Sequence, residues 1–286
     1  RVVDRKGDWI HYFYAPTKAY LRAVNYILDT GYAKGPRFYQ YLKSKTADEA
    51  DKILEAAGER GDRVHQAINI LLILKKVDRT LQVLAEDNKT EVSLADDEWD
   101  CLLAFSEFWN RHGAEWVERE FPVFNLKYGY AGTLDAIVKL TRNCGVKTCK
   151  CDEYISKTGL FDWKSGGGIY ESYGAQVGAY ALGDNTPQTD YTAILRLGTN
   201  HKTTGGYEAQ FYGKDESNTH IKEFLAAITI SNATYKPFDP EEIQDIPDEI
   251  DISGKLDIKL EVPLEEAVGK IIKPKKGRKI KVKKKK

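Results

Sequence analysis

TGLFDWKSGGG, residues 158–168, decides the fold. A short run of bulky residues ends in three consecutive glycines, which is the pattern of a strand closed by a breaker. Alternate residues of a strand share a face, so Asp162 and Lys164 point one way while Phe161 and Trp163 point the other. A charged pair interleaved with two large aromatics is not the pattern of a solvated face. It places polar groups at the rim of a core.

Working outward, a helix fits 171–183, strands fit 190–197 and 206–213, and a helix fits 217–234. Upstream, 117–124 and 130–140 read as strands joined by a turn near Tyr128-Gly129. Ser93 and Asp96 resemble a capping box before a helix whose Trp99, Leu102, Phe105, Trp109 and Trp116 recur at helical spacing as core. Another helix is expected from about Asp62 to Lys76, with His65, Ile68 and Leu72 on one face. An amphipathic helix over 47–57 is expected to stop near Gly58 and Gly61. The leading 60 residues read as helical, broken by the turn cluster GYAKGP at 31–36. This order predicts an α/β (α+β) fold, a mixed central sheet flanked by helices. Its expected parts are an N-terminal helical elaboration over 1–57, a core domain over 58–235, an acidic extension over 236–272 and a basic tail over 273–286.

Composition agrees with a globular core: 42% of the 286 residues are hydrophobic, with 17 Tyr, 10 Phe and 5 Trp among them. No apolar run is long enough to span a membrane and no secretory pattern opens the chain, so a cytoplasmic protein without membrane association is expected. The net charge of zero hides an asymmetry. Residues 273–286 hold ten Lys or Arg and no acid, leaving 33 bases against 43 acids elsewhere. Such a basic arm suits a polyanion, most commonly nucleic acid. Of the four cysteines, Cys144, Cys149 and Cys151 fall in C-x4-C-x-C spacing. Zinc sites usually show paired knuckles and only half of one is present, so ordinary reduced thiols are the plainer reading, Cys101 included.

Gly132-Thr133-Leu134-Asp135 lies on an earlier strand. Leu134, Ala136, Val138 and Leu140 are expected on one apolar face, with Asp135 opposite beside Thr133 and Ile137. If this strand neighbours 158–164, Asp135 and Asp162 approach one another. Two carboxylates that close repel by about 4 kcal/mol at an effective dielectric near 20. A divalent cation reverses that penalty, and carboxylates, water and a phosphate oxygen form a usual Mg²⁺ shell. Lys164 would then orient a water or steady charge on a phosphoryl group. Gln176 and Tyr180, at i and i+4, share a helix face near the end of the Asp162 strand. Both suit hydrogen bonding to phosphate or base, and Tyr180 suits stacking on a base. The plainer reading of that pair is a partly buried helix face.

G-x-x-D at 132–135, D-x-K at 162–164 and Q-x-x-x-Y at 176–180, in this order, resemble the RecB-like branch of the PD-(D/E)XK nucleases. Gly61-Asp62-Arg63-Val64-His65 matches the upstream G-x-x-x-H of that branch, and the similarity spans roughly 58–235. The leading segment with GYAKGP also looks like bacteriophage and mitochondrial members. The resemblance implies a restriction-endonuclease-like core and a Mg²⁺- or Mn²⁺-dependent deoxyribonuclease. It implies Asp135 and Asp162 as metal ligands, His65 and the Trp163 carbonyl as further ligands, and Lys164 as the catalytic lysine. Gln176 and Tyr180 would be substrate-side or supporting residues. His65 as ligand would admit Mn²⁺ as well as Mg²⁺; without the motifs around it, a core histidine is the ordinary reading. Some relatives carry an acid near Glu120, where a strand-edge charge is the plain alternative. The implied partner is DNA, single- or double-stranded and engaged at ends, with a homo-oligomer or a replication or recombination protein as further partners. The cysteines miss the spacing of the branch's iron–sulfur members, and no G-x-x-x-x-G-K-[ST] loop is present. Besides an exonuclease, a structure-specific endonuclease, a non-catalytic DNA-binding subunit and a zinc-stabilised interaction module remain open on sequence grounds.

Overall fold

Residues 158–164 do form a strand, and in the computed structural model it lies inside a mixed sheet. The structure describes residues 3–5, 10–35, 39–40, 43–85, 89–147, 149–199 and 204–235. All lie within one unit, Arg1–Phe238. The expected acidic extension and basic tail fall outside the described residues.

In chain order the elements are β1 (Val3–Arg5), β2 (His11–Tyr14), β3 (Ala19–Ala23), α1 (Val24–Gly31), α2 (Ala47–Leu74), β4 (Gln82–Leu84), β5 (Glu91–Ser93) and α3 (Asp96–His112). They continue with β6 (Ala114–Asn125), β7 (Tyr130–Leu140), β8 (Thr158–Lys164), α4 (Glu171–Ala181), β9 (Tyr191–Leu197), β10 (Tyr207–Tyr212) and α5 (Lys214–Thr234). The main sheet runs β1-β2-β3-β7-β8-β9-β10, with β6 also on β7, and β4-β5 form a separate hairpin. β3–β7 and β8–β9 are parallel pairs and the others antiparallel. This is the mixed α/β architecture that the order of predicted elements implies.

Both faces of the sheet are covered. Val64, Ala67, Ile68 and Leu72 of α2 and Leu102, Phe105 and Phe108 of α3 pack with Phe161 and Trp163. Val24 and Ile27 of α1, Val177 of α4 and Phe224 of α5 pack on the other side with Leu160 and Ile194. Truncating a buried aromatic such as Phe161 to Ala would cost about 3–5 kcal/mol. Because helices lie on both sides, β7 has no solvent face. Leu134 clusters with Ile137 rather than with Ala136 and Val138, which corrects the single apolar face expected for it.

The N-terminal region departs most from expectation. Residues 1–57 are not simply a helical elaboration, because β1, β2 and β3 form an antiparallel meander that joins β7. HYFY and AYLRA carry little alternation, and pairing with neighbouring strands sets their state; Tyr12, Leu21 and Ala23 bury against Ala131 of β7. The expected break at Gly58 and Gly61 does not occur either; α2 is one helix of 28 residues, so no boundary falls at 57. Each interior glycine costs about 1 kcal/mol relative to Ala. Against that stand the buried stripe of α2 and a capping box at its start, where Thr46 and Glu49 each accept the other's backbone N–H (3.0 and 3.3 Å). The start of α3 is capped one residue pair later than expected, with the Glu98 carboxylate accepting the Ala95 N–H at 2.8 Å. Its end is the left-handed Gly113 (φ 54°), so Trp116 belongs to β6 and not to the helical stripe.

Glycine governs how α4 meets α5. A Cβ on Gly178 would lie 2.8 Å from backbone atoms of His220 and Ile221. Backbone cannot step aside, so Gly178→Ala is expected to destabilise by about 1–3 kcal/mol, the usual cost of overpacking. Thermal unfolding checks it, and an unchanged Tm would mean that the two helices do not pack this closely.

Candidate metal-binding active site

The ladder between β7 and β8 pairs Ala136 with Phe161 and goes no further toward the start of β7, whose first residues pair with β3. At this fork the Asp135 carboxylate takes over from backbone pairing: Oδ2 accepts the Trp163 N–H at 2.6 Å. The other oxygen, Oδ1, lies 3.0 Å from His65 Nδ1, and His65 Nε2 lies 3.1 Å from the Trp163 carbonyl. The fork therefore collects a carboxylate, an imidazole and a carbonyl. They line a cleft of about 810 Å³, together with Glu120, Asp162, Lys164, Gln176 and Tyr180.

Glu120 reaches the cleft from β6. Arg119 pairs with Ala136 and Phe121 with Leu134, which sets Glu120 beside Asp135. Its backbone is left-handed (φ 46°), a conformation that costs a non-glycine residue of order 1 kcal/mol and clusters at functional sites. Ligand atoms of His65, Glu120 and Asp135 all lie within 4.8 Å of one another. The plain reading of Glu120 as a strand-edge charge is thus replaced by a place beside the imidazole. No sequence spacing marks it, since it lies in a strand rim fifteen residues before Asp135 and its position depends on cross-strand register.

Asp162 lines the same cleft but stands outside that close triad. It is 3% exposed. Lys164 Nζ lies 2.7 Å from its Oδ2 as an ion pair, yet off the line of a directed hydrogen bond. This buried oxygen has no hydrogen-bond partner among the described residues. Burial pushes the Asp162 carboxyl up to about 6, with Lys164 opposing and Asp135 reinforcing the shift. Two buried carboxylates, Asp135 and Asp162, beside an imidazole and sharing one ammonium between them make a cluster that a further cation would stabilise. The lining carries the acids Asp62, Glu120, Asp135 and Asp162 against Arg60, Lys164 and His65. The donor set of oxygens plus one imidazole suits Mg²⁺ or Mn²⁺.

Lys164 is held on three sides. Besides Asp162, its Nζ donates to Gln176 Oε1 at 2.9 Å and stands 4.6 Å over the Tyr173 ring. Gln176 is fixed in turn, donating through Nε2 to Tyr180 Oη at 3.0 Å and Asn25 Oδ1 at 3.2 Å. The expected shared face of Gln176 and Tyr180 is real, but Tyr180 is only 3% exposed. Its ring fills the space that a Cβ on Gly132 would occupy, at 2.6 Å. No ring face is open for stacking on a base, which corrects that expectation. Gln176 and Tyr180 position Lys164 from behind. This explains why Gly132 precedes Asp135: a larger residue would expel the tyrosine that props the lysine. Tyr173 and Asn25 complete the support, and the sequence offers no motif for either.

Helix α2 is fastened where it presents His65. Arg60 donates to Asp97 at 2.5 Å and to the Ser165 carbonyl just past β8, and Arg63 pairs with the buried Glu98 at 2.8 Å. The glycines at 58 and 61 line the cleft, so the helix contributes space there as well as a ligand.

Burial disfavours the His65 imidazolium, but the Asp135 carboxylate outweighs it and raises the group to about 9. Both ring nitrogens face acceptors, which is the arrangement of a doubly protonated ring. A metal ion bound to His65 must displace a proton at neutral pH. Above pH 6 Asp162 is ionised and also favours the cation. Apparent Mn²⁺ affinity, measured by calorimetry, is therefore expected to rise between pH 6 and 8 by about tenfold per unit for one displaced proton. A pH-independent affinity would mean that His65 is not a ligand.

No protein-family model matches the chain, and no curated protein matches it. Among the described residues, no helix is long and apolar enough to cross a membrane.

Proposed function

We propose that the chain is a divalent-metal-dependent deoxyribonuclease, an exonuclease that hydrolyses phosphodiester bonds at DNA ends in replication, recombination or repair. The observation that carries this reading is the grouping of His65, Glu120 and Asp135 within 4.8 Å, with the braced Asp162–Lys164 pair in the same cleft. The motif resemblance to the RecB-like PD-(D/E)XK branch supports the same conclusion from separate grounds, namely residue order and spacing.

The four acids of the lining outnumber Arg60, Lys164 and the protonated His65, and a bound cation would offset that excess for an incoming phosphodiester. His65, Glu120 and Asp135, with Asp162 and the Trp163 carbonyl beside them, would hold a divalent ion, which would supply Lewis acidity at the phosphate and a lowered pKa for water. Lys164 contributes a fixed positive charge. Its three contacts remove the freedom of a long side chain, so no ordering is needed as charge develops on the phosphoryl oxygens. Asp162 keeps that ammonium aimed. Gln176 and Tyr180 act through Lys164 and touch no substrate.

The test is incubation of end-labelled linear DNA, single- and double-stranded, and of covalently closed circles with Mg²⁺, Mn²⁺ or EDTA. Release of short products from linear DNA with either metal, none with EDTA and intact circles are expected. Cleavage in EDTA, or none under any condition, overturns the proposal; cut circles replace the exonuclease by an endonuclease with the same centre.

A further inference from the structure

The four cysteines are free, and three of them meet a histidine far away in sequence. Ligand atoms of His112, Cys144, Cys149 and Cys151 all lie within 4.8 Å of one another. Cys151 Sγ stands 3.5 Å from Cys144 Sγ, and Cys149 Sγ stands 3.8 Å from His112 Nε2. The sulfur separation is far beyond a disulfide bond of ~2.05 Å. A zinc tetrahedron with Zn–S of ~2.3 Å and Zn–N of ~2.0 Å has edges of roughly 3.8 Å between sulfurs and roughly 3.5 Å from sulfur to nitrogen. The observed separations agree with those edges to within a few tenths of an ångström.

We propose that His112, Cys144, Cys149 and Cys151 form a structural zinc site that fastens the β7–β8 connection to the end of α3. Independent details of the surroundings agree with a ligating set. His112 is fully buried and its Nδ1 meets the Phe108 carbonyl at 2.9 Å, which fixes the tautomer and leaves Nε2 with its lone pair toward the thiols. The Val146 N–H points at Cys144 Sγ at 3.4 Å. Tyr207 stacks edge-on against His112 with ring centroids 5.8 Å apart, and its buried hydroxyl has no hydrogen-bond partner among the described residues.

The connection itself supplies a reason for such a site. β7 and β8 are antiparallel neighbours, which a few residues can join, yet residues 141–157 intervene, and the described ones carry a short 3-10 turn at Cys151–Tyr154 and a single β-bridge from Ile155 to Leu140. A cross-link from this long connection to α3 would fix the far ends of the two strands that carry Asp135 and Asp162. Leu140 is five residues from Asp135, about 17 Å along a strand, so this zinc would be structural and separate from the cleft. All four positions are taken by protein ligands, as in closed structural sites. The sequence hides the site because the fourth ligand comes from α3 and completes half a knuckle.

The test uses the full chain, expressed with zinc and gel-filtered without chelator. Metal analysis is expected to find one zinc per chain, released in step with titration of the thiols by a mercurial. Cobalt exchanged into the site is expected to give thiolate charge-transfer and tetrahedral d–d absorption. Cys149→Ser is expected to drop zinc content toward zero, while Asp135→Asn and Cys101→Ser keep it. Should Cys149→Ser not fold, the mercurial release and the cobalt spectrum of the unaltered chain decide alone. Metal-free protein with unhindered thiols, iron with sulfide in place of zinc, a cobalt spectrum without thiolate bands, or zinc lost on Asp135→Asn would each overturn the proposal. Because these are metal contents and spectra, the result stands apart from whether the chain cuts DNA.

Discussion

Lys164→Ala is expected to reduce phosphodiester cleavage by about 10²–10³-fold, the effect of removing one preorganised charged donor from a transition state. Mn²⁺ affinity should stay close to that of the unaltered chain, because Lys164 is not among the residues grouped for a cation. The cost arises from position. Nζ is within 2.7 Å of Asp162 and 2.9 Å of Gln176, so no solvated side chain can replace it without reorganisation. Asp162 then loses its cation while remaining buried, and takes up a proton more readily. Single-turnover cleavage with saturating Mn²⁺, compared with calorimetric Mn²⁺ binding, separates the two effects. Loss of metal binding together with activity would make Lys164 a prop for the metal site, and undiminished cleavage would remove it from the mechanism.

Asp135→Asn is expected to be more damaging for a different reason. Asp135 holds the Trp163 N–H with one oxygen and His65 with the other. It is thus both a proposed ligand and the group that orients a second one. Loss of an orienting partner alone commonly costs 10–100-fold in metal affinity; loss of the ligand with it should exceed about 100-fold. Asparagine keeps the shape and can still accept the Trp163 N–H, and it relieves repulsion with Asp162. Thermal stability should therefore hold while Mn²⁺ binding and cleavage fall together. Unfolding of this variant would mean that Asp135 serves the fork of the sheet first, and retained metal affinity would move the cation elsewhere in the cleft.

The contrast between these two variants follows from what the sequence makes legible. Asp162 and Lys164 alternate with Phe161 and Trp163, so one strand declares both its core face and its polar face. The strands at 130–140 and 158–164 and the helix after the three glycines are readable as elements from their apolar runs and the breakers that bound them, although the faces of 130–140 are not, because that strand is buried on both sides. Glu120 is suggested by the resemblance alone and by no spacing, because its approach to His65 depends on β6–β7 register and a left-handed backbone. His112 escapes for the same reason, being joined to its cysteines by tertiary packing alone. The N-terminal strands are misread as helices because short aromatic runs such as HYFY carry little period, and pairing with β7 decides their state. The continuity of α2 through Gly58 and Gly61 is a case of burial and capping outweighing local propensity.

Crystals soaked in Mn²⁺ and measured for anomalous scattering test the central claim most directly. A single strong manganese peak within bonding reach of His65 Nε2 or Nδ1, a Glu120 oxygen and an Asp135 oxygen is the predicted result. A cleft without a peak at saturating Mn²⁺, or manganese bound only to surface acids remote from Lys164, would contradict it.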